Sequence, residues 1–270
     1  MSNDDLSGGA TAESLAGGAE MVAVVGLDAA SDPRKFGYAT GYFRNGSVEV
    51  SSSGCLGTVE GRRDKLCRVV DWILGIDPKY RILLAIDAPL GWPSALSDAL
   101  KHHVAGKNLT ASKETTFRRL TERNLRQAEF GGHAPLEVAA DRIARAAHEA
   151  LSVLDEIRTM TGLGFPLAWT PGFLGNAVIE VYPAASLKAN GLPRSSYKKR
   201  EQGEKRKEIA ARLVNTVRGL DVLCEGSADI FDAGLCLLAA ADFLSDKSRP
   251  PPECDFEIAL REGWIWVKQS

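Results

Sequence analysis

Two apolar segments that each end in an aspartate most constrain how this chain can fold. Met21–Asp28 and Arg81–Asp87 are nearly continuous apolar runs, which are typical of strands buried on both faces of a sheet. Ligands of open α/β sheets gather outside the carboxyl ends of the strands. Asp28 and Asp87 stand at such ends, and we expect them to be neighbours if the two strands pair.

The rest of the chain alternates strand-like and helix-like segments. Phe36–Arg44 and Ser47–Ser53 are joined by Asn45-Gly46, which is the strongest short signal for a β-hairpin. Further strands are predicted at Asn176–Tyr182, Phe256–Ile258 and Gly263–Val267. Apolar residues at helical spacing predict the main helices at Arg63–Leu74, Leu136–Arg158, Tyr197–Val217 and Asp229–Leu244. This order predicts one α/β domain over residues 21–270, with a mixed sheet and helices on both faces, rather than two independent domains.

Composition excludes several classes of protein. The chain is 44% hydrophobic and 25% charged, which is typical of a globular protein and not of a fibre. Its longest apolar run, Ala233–Ala241, is about half of the roughly 20 residues that a membrane-spanning helix needs. Residues 1–20 carry acidic but no basic residues and few large apolar ones. We therefore predict that they form a disordered acidic tail.

The cysteine content indicates the compartment. The five cysteines form no C-x-x-C pair, and their number is odd. This pattern disfavours both a disulfide framework and a zinc ribbon, and it favours buried free thiols in a reducing environment. The sequence shows no basic segment followed by an apolar one of the kind that directs secretion. The expected localisation is therefore cytoplasmic.

Four acidic residues occupy positions where an unpaired carboxylate is costly. Asp28 and Asp87 end buried strands, Glu180 lies inside a third strand, and Asp232 lies in the first turn of an apolar helix. Each needs a cation, an arginine or several backbone N–H groups as a partner. Oxygen ligands without His or Cys favour Mg²⁺ or Mn²⁺. Asp28 and Asp87 could equally cap turns or the helices that follow, and the residues alone leave both interpretations open.

Two segments are locally basic although the net charge of the chain is −2. They are Ser112–Arg126 and Arg194–Lys207. Such segments can contact the phosphates of a nucleic acid. A solvated helix face is the more common origin of a charge run, so composition alone does not identify a nucleic-acid-binding protein.

A series of short motifs, in order along nearly the whole chain, resembles the domain of unknown function 429 family, which is described as predicted nucleases of the RNase H-like fold. The motifs are Val25-Gly-Leu-Asp28, Ile86-Asp87-Ala-Pro-Leu-Gly-Trp-Pro93, Arg119-Leu-Thr-Glu-Arg123, Asp141-Arg-Ile143, Glu180-Val-Tyr-Pro183, Ser196-Tyr-Lys198, Asp232-Ala233 and Glu262-Gly-Trp-Ile265. No single motif is decisive, but eight in order are hard to obtain by chance.

The resemblance implies a fold and a set of metal ligands. The fold is a five-stranded mixed sheet, in which three antiparallel strands are followed by two parallel ones, with helices on both faces. In RNase H-like nucleases an Asp on the first strand, an acid on the fourth strand and an Asp on the last helix converge on metal ions. Asp28, Asp87 and Asp232 match these positions, and Asp229, three residues before Asp232 on the same helical face, is a further candidate ligand.

The chain departs from RNase H itself at one acid. The first helix lacks a clear Glu, since Arg62-Arg63-Asp64 offers no good equivalent, and Glu180 is the candidate replacement as a catalytic acid. The implied mechanism is phosphodiester hydrolysis with two Mg²⁺ or Mn²⁺ ions bridged by Asp28. The missing acid puts a complete two-metal site in question.

Four basic residues are candidates for holding the phosphates of the substrate: Arg119, Arg123, Lys198 and Arg206. Arginine can bind a phosphate in bidentate fashion, and lysine binds it as a point charge. The alternative is structural, with Arg119 paired to Glu122 or Arg123 paired to Asp141.

These observations leave three candidate functions. The first is a metal-dependent nuclease that acts on DNA or RNA. The second is a sugar kinase or actin-like ATPase, but those proteins duplicate the domain and 270 residues leave no room for two copies. The third is a catalytically silent module that keeps the fold and binds nucleic acid or another partner.

Overall fold

The computed structural model describes residues 21–32, 35–56, 59–126 and 135–269, with the side chains of residues 59–65 and 200 left out. The strands are β1 (Val22–Asp28), β2 (Gly37–Arg44), β3 (Ser47–Cys55), β4 (Arg81–Asp87), β5 (Asn176–Glu180) and β6 (Val217–Arg218). The helices are α1 (Val59–Leu74), α2 (Ser94–Leu100), α3 (Lys113–Phe117), α4 (Leu120–Leu125), α5 (Asp141–Thr161), α6 (Pro183–Ala189), α7 (Gly203–Leu213), α8 (Ala228–Leu244) and α9 (Phe256–Glu262). The predicted tail, residues 1–20, and the side chains of Arg62–Asp64 lie outside this description.

The strands form one mixed sheet in the order β5-β4-β1-β2-β3-β6. β1, β2 and β3 are successively antiparallel, whereas β4 is parallel to β1 and β5 is parallel to β4. The predicted hairpin is confirmed, because Asn45 and Gly46 both adopt positive φ between β2 and β3. The register of β1 with β4 places Asp28 directly beside Asp87. The predicted α/β class and mixed sheet are therefore confirmed.

The expected number of five strands is wrong by one. β6 adds a sixth strand at the edge, parallel to β3, with Val48 opposite Val217. The backbone N–H of Val48 donates to the carbonyl of Thr216 at 2.8 Å. A strand of only two residues shows no alternation of apolar and polar positions, so sequence periodicity cannot reveal it.

Helices cover both faces of the sheet, as predicted. Alternate residues of β1 point to opposite faces, so Val22 and Val24 pack with α6, α7 and α8, whereas Val25 and Leu27 pack with α1 and α5. Among the described helices, none combines the length and the apolar character that crossing a bilayer requires. All five cysteines are unpaired; Cys224 and Cys236 are buried, and Cys254 is exposed.

Two glycines allow α8 to lie directly on the strands. A Cβ atom at Gly26 in β1 would come within 2.2 Å of the carbonyl oxygen of Ala233, and one at Gly37 in β2 within 2.2 Å of the carbonyl oxygen of Asp229. Any larger residue would therefore push the helix away. This close contact brings the first turns of α8 to the end of β1 that carries Asp28.

The last part of the chain differs from the prediction. Phe256–Ile258 is not a strand but the beginning of α9, and Gly263–Val267 contributes an isolated bridge between Ile265 and Glu180 rather than a strand. Within Tyr197–Val217 the helical parts are a 3₁₀ helix at Arg200–Gln202 and α7, and the residues before Lys199 form a loop in which Ser196 adopts φ +74°. This loop matters because it carries Tyr197 and Lys198 into the site.

Candidate functional site

Asp28 and Asp87 form a carboxylate pair at the carboxyl ends of β1 and β4. Their strands are parallel and in register, and their side chains share a hydrogen bond. Burial raises the pKa of Asp87 to about 7, and the charges of Asp232 and Glu180 add to this while Lys198 opposes it. Burial, followed by the charges of Asp232 and Asp87, raises the pKa of Asp28 well above its ordinary value. The pair therefore retains a proton at moderately acidic pH, where an ordinary carboxyl group is ionised.

Asp232 lies beside this pair, on α8, and both of its carboxylate oxygens have partners. The Tyr197 hydroxyl donates to Oδ1 at 2.7 Å, and the Lys198 ammonium lies 2.6 Å from Oδ2. The side chain of Asp232 is only 3% exposed, whereas that of Lys198 is 57% exposed. Burial lowers the pKa of Lys198, but the negative charges of Asp232, Asp87 and Asp28 outweigh it and hold that pKa above its ordinary value. Lys198 is therefore the cation of the carboxylate cluster.

The loop that carries Tyr197 and Lys198 is held in a strained conformation. Ser196 lies in the left-handed region at φ +74°, which costs a non-glycine residue on the order of 1 kcal/mol or more. The buried Arg206 of α7 donates to the carbonyls of Tyr197 at 2.8 Å and Lys199 at 3.1 Å, on both sides of Lys198. Its Nε donates to the carbonyl of Cys224 at 2.9 Å. Arg206, predicted to bind substrate, is placed to fix this loop.

Glu180 ends β5 and is bound by Arg119. Arg119 is fully buried, and its Nη1 donates to Glu180 Oε2 at 2.8 Å while its Nη2 donates to Oε1. The backbone N–H of Leu90, in the loop after Asp87, also donates to Oε2 at 3.0 Å. Burial raises the pKa of Glu180 although Arg119 opposes this. The predicted catalytic acid is thus part of a buried ion pair that also holds the loop following Asp87.

Arg119 uses all of its five N–H groups inside the protein. Beyond Glu180, its Nε and Nη2 donate to the buried Glu122, and Nη1 donates to the carbonyl of Glu262 at 2.9 Å. The pairing of Arg119 with Glu122 that sequence analysis gave as the structural alternative is therefore present. The Glu262 carboxylate also accepts hydrogen bonds from Ser94 and from the backbone N–H of Leu120, which links α9 to the first residues of α2 and α4.

Arg123 does not pair with Asp141. Asp141 forms its salt bridge with Arg145 instead, one helical turn further along α5, at 3.2 Å. The Nε of Arg123 is buried with no hydrogen-bond partner among the described residues. The predicted pairing of Arg123 with Asp141 is therefore wrong, because Asp141 has a partner, Arg145, on its own helix.

A cavity of about 250 Å³ opens beside the carboxylate pair. Asp28, Asp87, Lys198 and Tyr182 line it together with apolar side chains of α5 and of the residue that follows β5, Val181. Burial, followed by the charge of Asp87, raises the pKa of the Tyr182 hydroxyl. The cavity therefore joins carboxylates, an ammonium group and an aromatic hydroxyl within one concave space.

The structure brings most predicted residues together but not all. Asp28, Asp87, Glu180, Arg119 and Lys198 line the cavity. Asp232 is not among the lining residues but forms an ion pair with Lys198, which is. Asp229 is half-buried in the first turn of α8, where Ser227 forms a hydrogen bond with it. Arg123 and Arg206 are not among the residues that line the cavity.

Tyr197 was not among the predicted site residues. It lies inside the quoted Ser196-Tyr-Lys198 motif, but a predicted helix there hid its contact with Asp232. The only signal was its position directly before a candidate lysine.

The donors fit a divalent cation only in part. Among the described residues, no group of three or more His, Cys, Asp and Glu side chains is arranged to hold a metal ion. The Asp28–Asp87 pair supplies the hard oxygen donors that Mg²⁺ and Mn²⁺ prefer, and a cation there would replace the retained proton. Asp232 is already engaged by Tyr197 and Lys198. The pair fits one such ion, and Asp232, the third ligand that the resemblance implies, is not free to join it.

Comparison with known proteins identifies the family but no activity. Neither a search of curated proteins nor a search of solved structures gave a significant match. The family model described as a protein of unknown function, DUF429, matches residues 26–255. That span contains the carboxylate pair, Arg119 with its partners Glu122 and Glu180, and the loop of Lys198, and the chain therefore belongs to the DUF429 family.

Proposed function

We propose that this protein is a metal-dependent nuclease with an RNase H-like arrangement of its sheet. The observation that carries the proposal is the in-register pair of Asp28 and Asp87 at the ends of two neighbouring parallel strands, with Asp232 of α8 beside it. The strand order β3-β2-β1-β4-β5, antiparallel and then parallel, supports the arrangement that the family resemblance implies. The acids stand at the strand ends where ligands of α/β sheets gather.

In the proposed mechanism, the residues at the cavity have separate roles. Asp28 and Asp87, without their shared proton, would hold Mg²⁺ or Mn²⁺. The chemistry that such a cation supplies is a lowered pKa for the attacking water and stabilisation of the charge that develops on the phosphate. Lys198, half-exposed at the cavity, contacts a phosphate oxygen of the substrate as a point charge. Tyr197 and Asp232 fix the ammonium group in position.

The other predicted residues support the site rather than contact substrate in this proposal. Arg119 holds Glu180 and the loop after Asp87, and Arg206 holds the loop of Lys198. Glu180 therefore serves as a positioning residue, and Asp229, half-buried beside Ser227, shapes the first turn of α8. The proposed partner is DNA or RNA, contacted through its phosphates in the cytoplasm.

One observation favours a second candidate, a silent RNase H-like module that binds nucleic acid or another partner. Tyr197 and Lys198 already satisfy Asp232, so the carboxylate cluster has a resident cation. Under this alternative, binding persists when the acids are neutralised and no bond is cleaved.

A cleavage assay separates the two candidates. Wild type and Asp28→Asn would be incubated with end-labelled single- and double-stranded DNA and RNA in Mg²⁺, Mn²⁺ or EDTA. Asp155→Asn, which neutralises an exposed acid of α5, is the matched control. We expect metal-dependent cleavage by wild type and the control and none by Asp28→Asn. Absence of cleavage on every substrate, with nucleic acid still bound, would support the silent module.

A further inference from the structure

The carboxylate cluster holds its own positive charge. Asp28, Asp87 and Asp232 influence one another electrostatically, and Lys198 is the cation that opposes all three. Its ammonium lies 2.6 Å from Asp232 Oδ2, at the distance of a charge-assisted hydrogen bond. The Tyr197 hydroxyl donates to the other oxygen at 2.7 Å. A metal ion that used Asp232 would have to approach an oxygen that already faces an ammonium group or a hydroxyl proton.

The position of Lys198 is built into the fold. Ser196 adopts a strained left-handed conformation two residues before it. Arg206, only 3% exposed, binds the carbonyls on both sides of Lys198. The ring of Tyr197 is fully buried against Phe231, with ring centroids 5.7 Å apart. A surface ion pair between Lys198 and Asp232 would form without any of these contacts. They therefore indicate that the fold fixes the ammonium group against Asp232.

We propose that the site takes a single divalent cation, between Asp28 and Asp87, and that Lys198 stands in the place of a second one. The inference rests on the proposed function only in that it assumes a metal at the carboxylate pair. Lys198 neutralises Asp232 and presents a fixed positive charge to the cavity. A phosphate in the cavity then meets one metal ion and one ammonium group rather than two metal ions.

The number of Mn²⁺ ions per chain tests this proposal. Isothermal titration of the full chain with Mn²⁺ gives the stoichiometry and the dissociation constant, and electron paramagnetic resonance tells an isolated Mn²⁺ ion from a coupled pair. The informative variant is Lys198→Met, which removes the ammonium and keeps an unbranched side chain. Lys199→Met, at the neighbouring exposed lysine, is the matched control. Lys198→Gln, which keeps a donor for Asp232 without the charge, serves if the methionine variant does not fold.

We expect wild type and Lys199→Met to bind one Mn²⁺ with the spectrum of an isolated ion. Lys198→Met should bind a second ion or bind the first at least about tenfold more tightly, because a charge opposing the metal is gone. Two coupled ions in wild type would overturn the inference and leave the nuclease proposal intact, as would equal binding by Lys198→Met and Lys199→Met. One ion with no cleavage of any substrate would overturn the nuclease proposal alone. No bound ion would contradict both.

Discussion

Asp87 carries a carboxyl group whose protonation links the site to the stability of the fold. Burial raises its pKa from 3.8 to about 7, so the folded chain keeps a proton between these values that the unfolded chain releases. The free energy of unfolding therefore falls as the pH rises through this window. Above the window, the stabilisation that the retained proton provides is fully lost. This is the opposite of the usual behaviour of an ion-paired aspartate.

Replacing Asp87 by Asn should remove that dependence. In EDTA at pH 8, we expect Asp87→Asn to have a Tm a few degrees above that of wild type, because a repelled charge is gone, and the difference should shrink towards pH 4. Thermal unfolding followed by circular dichroism across this range measures it. A variant that is less stable than wild type at pH 8, or a difference that does not change with pH, would contradict the assignment.

Arg119 provides a second test at a single residue. Arg119→Met leaves Glu122 and Glu180 buried without their partner, and losing one member of a buried ion pair costs about 3–5 kcal/mol. We expect a fall of that size in the free energy of unfolding, measured by urea denaturation. Arg142→Met, at an exposed arginine of α5, is the control and should change it little. A loss below about 1 kcal/mol for Arg119→Met would show that the network contributes little.

Sequence alone identified the acids better than their partners. Asp28 and Asp87 were predictable because each ends an apolar run, which fixes its place at a strand end. Glu180 was singled out as an acid inside a predicted strand, and the structure places it at the end of β5 instead; its partner Arg119 is 61 residues away in sequence. A pairing over that distance depends on how β5 and α4 meet, and local patterns of charge do not contain that information.

At the scale of elements, the approach of α8 to the sheet depends on glycine. A Cβ atom at Gly26 would lie 2.2 Å from the carbonyl oxygen of Ala233, so Gly26→Ala requires β1 and α8 to separate. We expect a loss of about 1–3 kcal/mol in the free energy of unfolding, together with weaker Mn²⁺ binding because Asp28, two residues further along β1, shifts relative to Asp87. Chemical denaturation and metal titration measure the two effects.

Gly164→Ala is the matched control for that substitution. A Cβ atom at Gly164 would have nothing within 4 Å, so this variant should be close to wild type in both measurements. Equal stability of the Gly26 and Gly164 variants would contradict the close packing of α8 on β1.

Elements with a clear apolar periodicity or a clear turn signal could be predicted from the sequence. Elements fixed by contacts with residues far away in the sequence could not. The hairpin at Asn45-Gly46 and the apolar α8 follow from local sequence. The predicted helix from Tyr197 to Val217 instead begins with a 3₁₀ helix at Arg200 and is α-helical only from Gly203, and Tyr197 lies in a loop that Arg206 and Asp232 hold by hydrogen bonds. Phe256–Ile258 is helical in α9 although its short apolar run resembles a strand, and short runs do not separate the two structures.

At the scale of the whole molecule, the topology of the sheet places Asp28 and Asp87 together at the carboxyl ends of two interior strands. The order β5-β4-β1-β2-β3-β6 sets β1 and β4 side by side, and their parallel direction brings Asp28 and Asp87 to the same end. The mixed sheet and the α/β class followed from the order of apolar segments. The size of the cavity and the contacts of Asp232 with Tyr197 and Lys198 could not be predicted from the sequence, because both depend on side-chain packing between elements far apart in sequence.

The cleavage rate as a function of Mn²⁺ concentration tests the central claim most directly. It would be measured for wild type, Asp87→Asn and the exposed control Asp155→Asn on the best substrate found. We expect saturable Mn²⁺ activation in wild type and the control, and a rate at least about 100-fold lower in Asp87→Asn, because a metal contributes several kcal/mol to such reactions. Cleavage by Asp87→Asn at the wild-type rate, or cleavage that persists in EDTA, would contradict the claim that this carboxylate pair holds a catalytic metal.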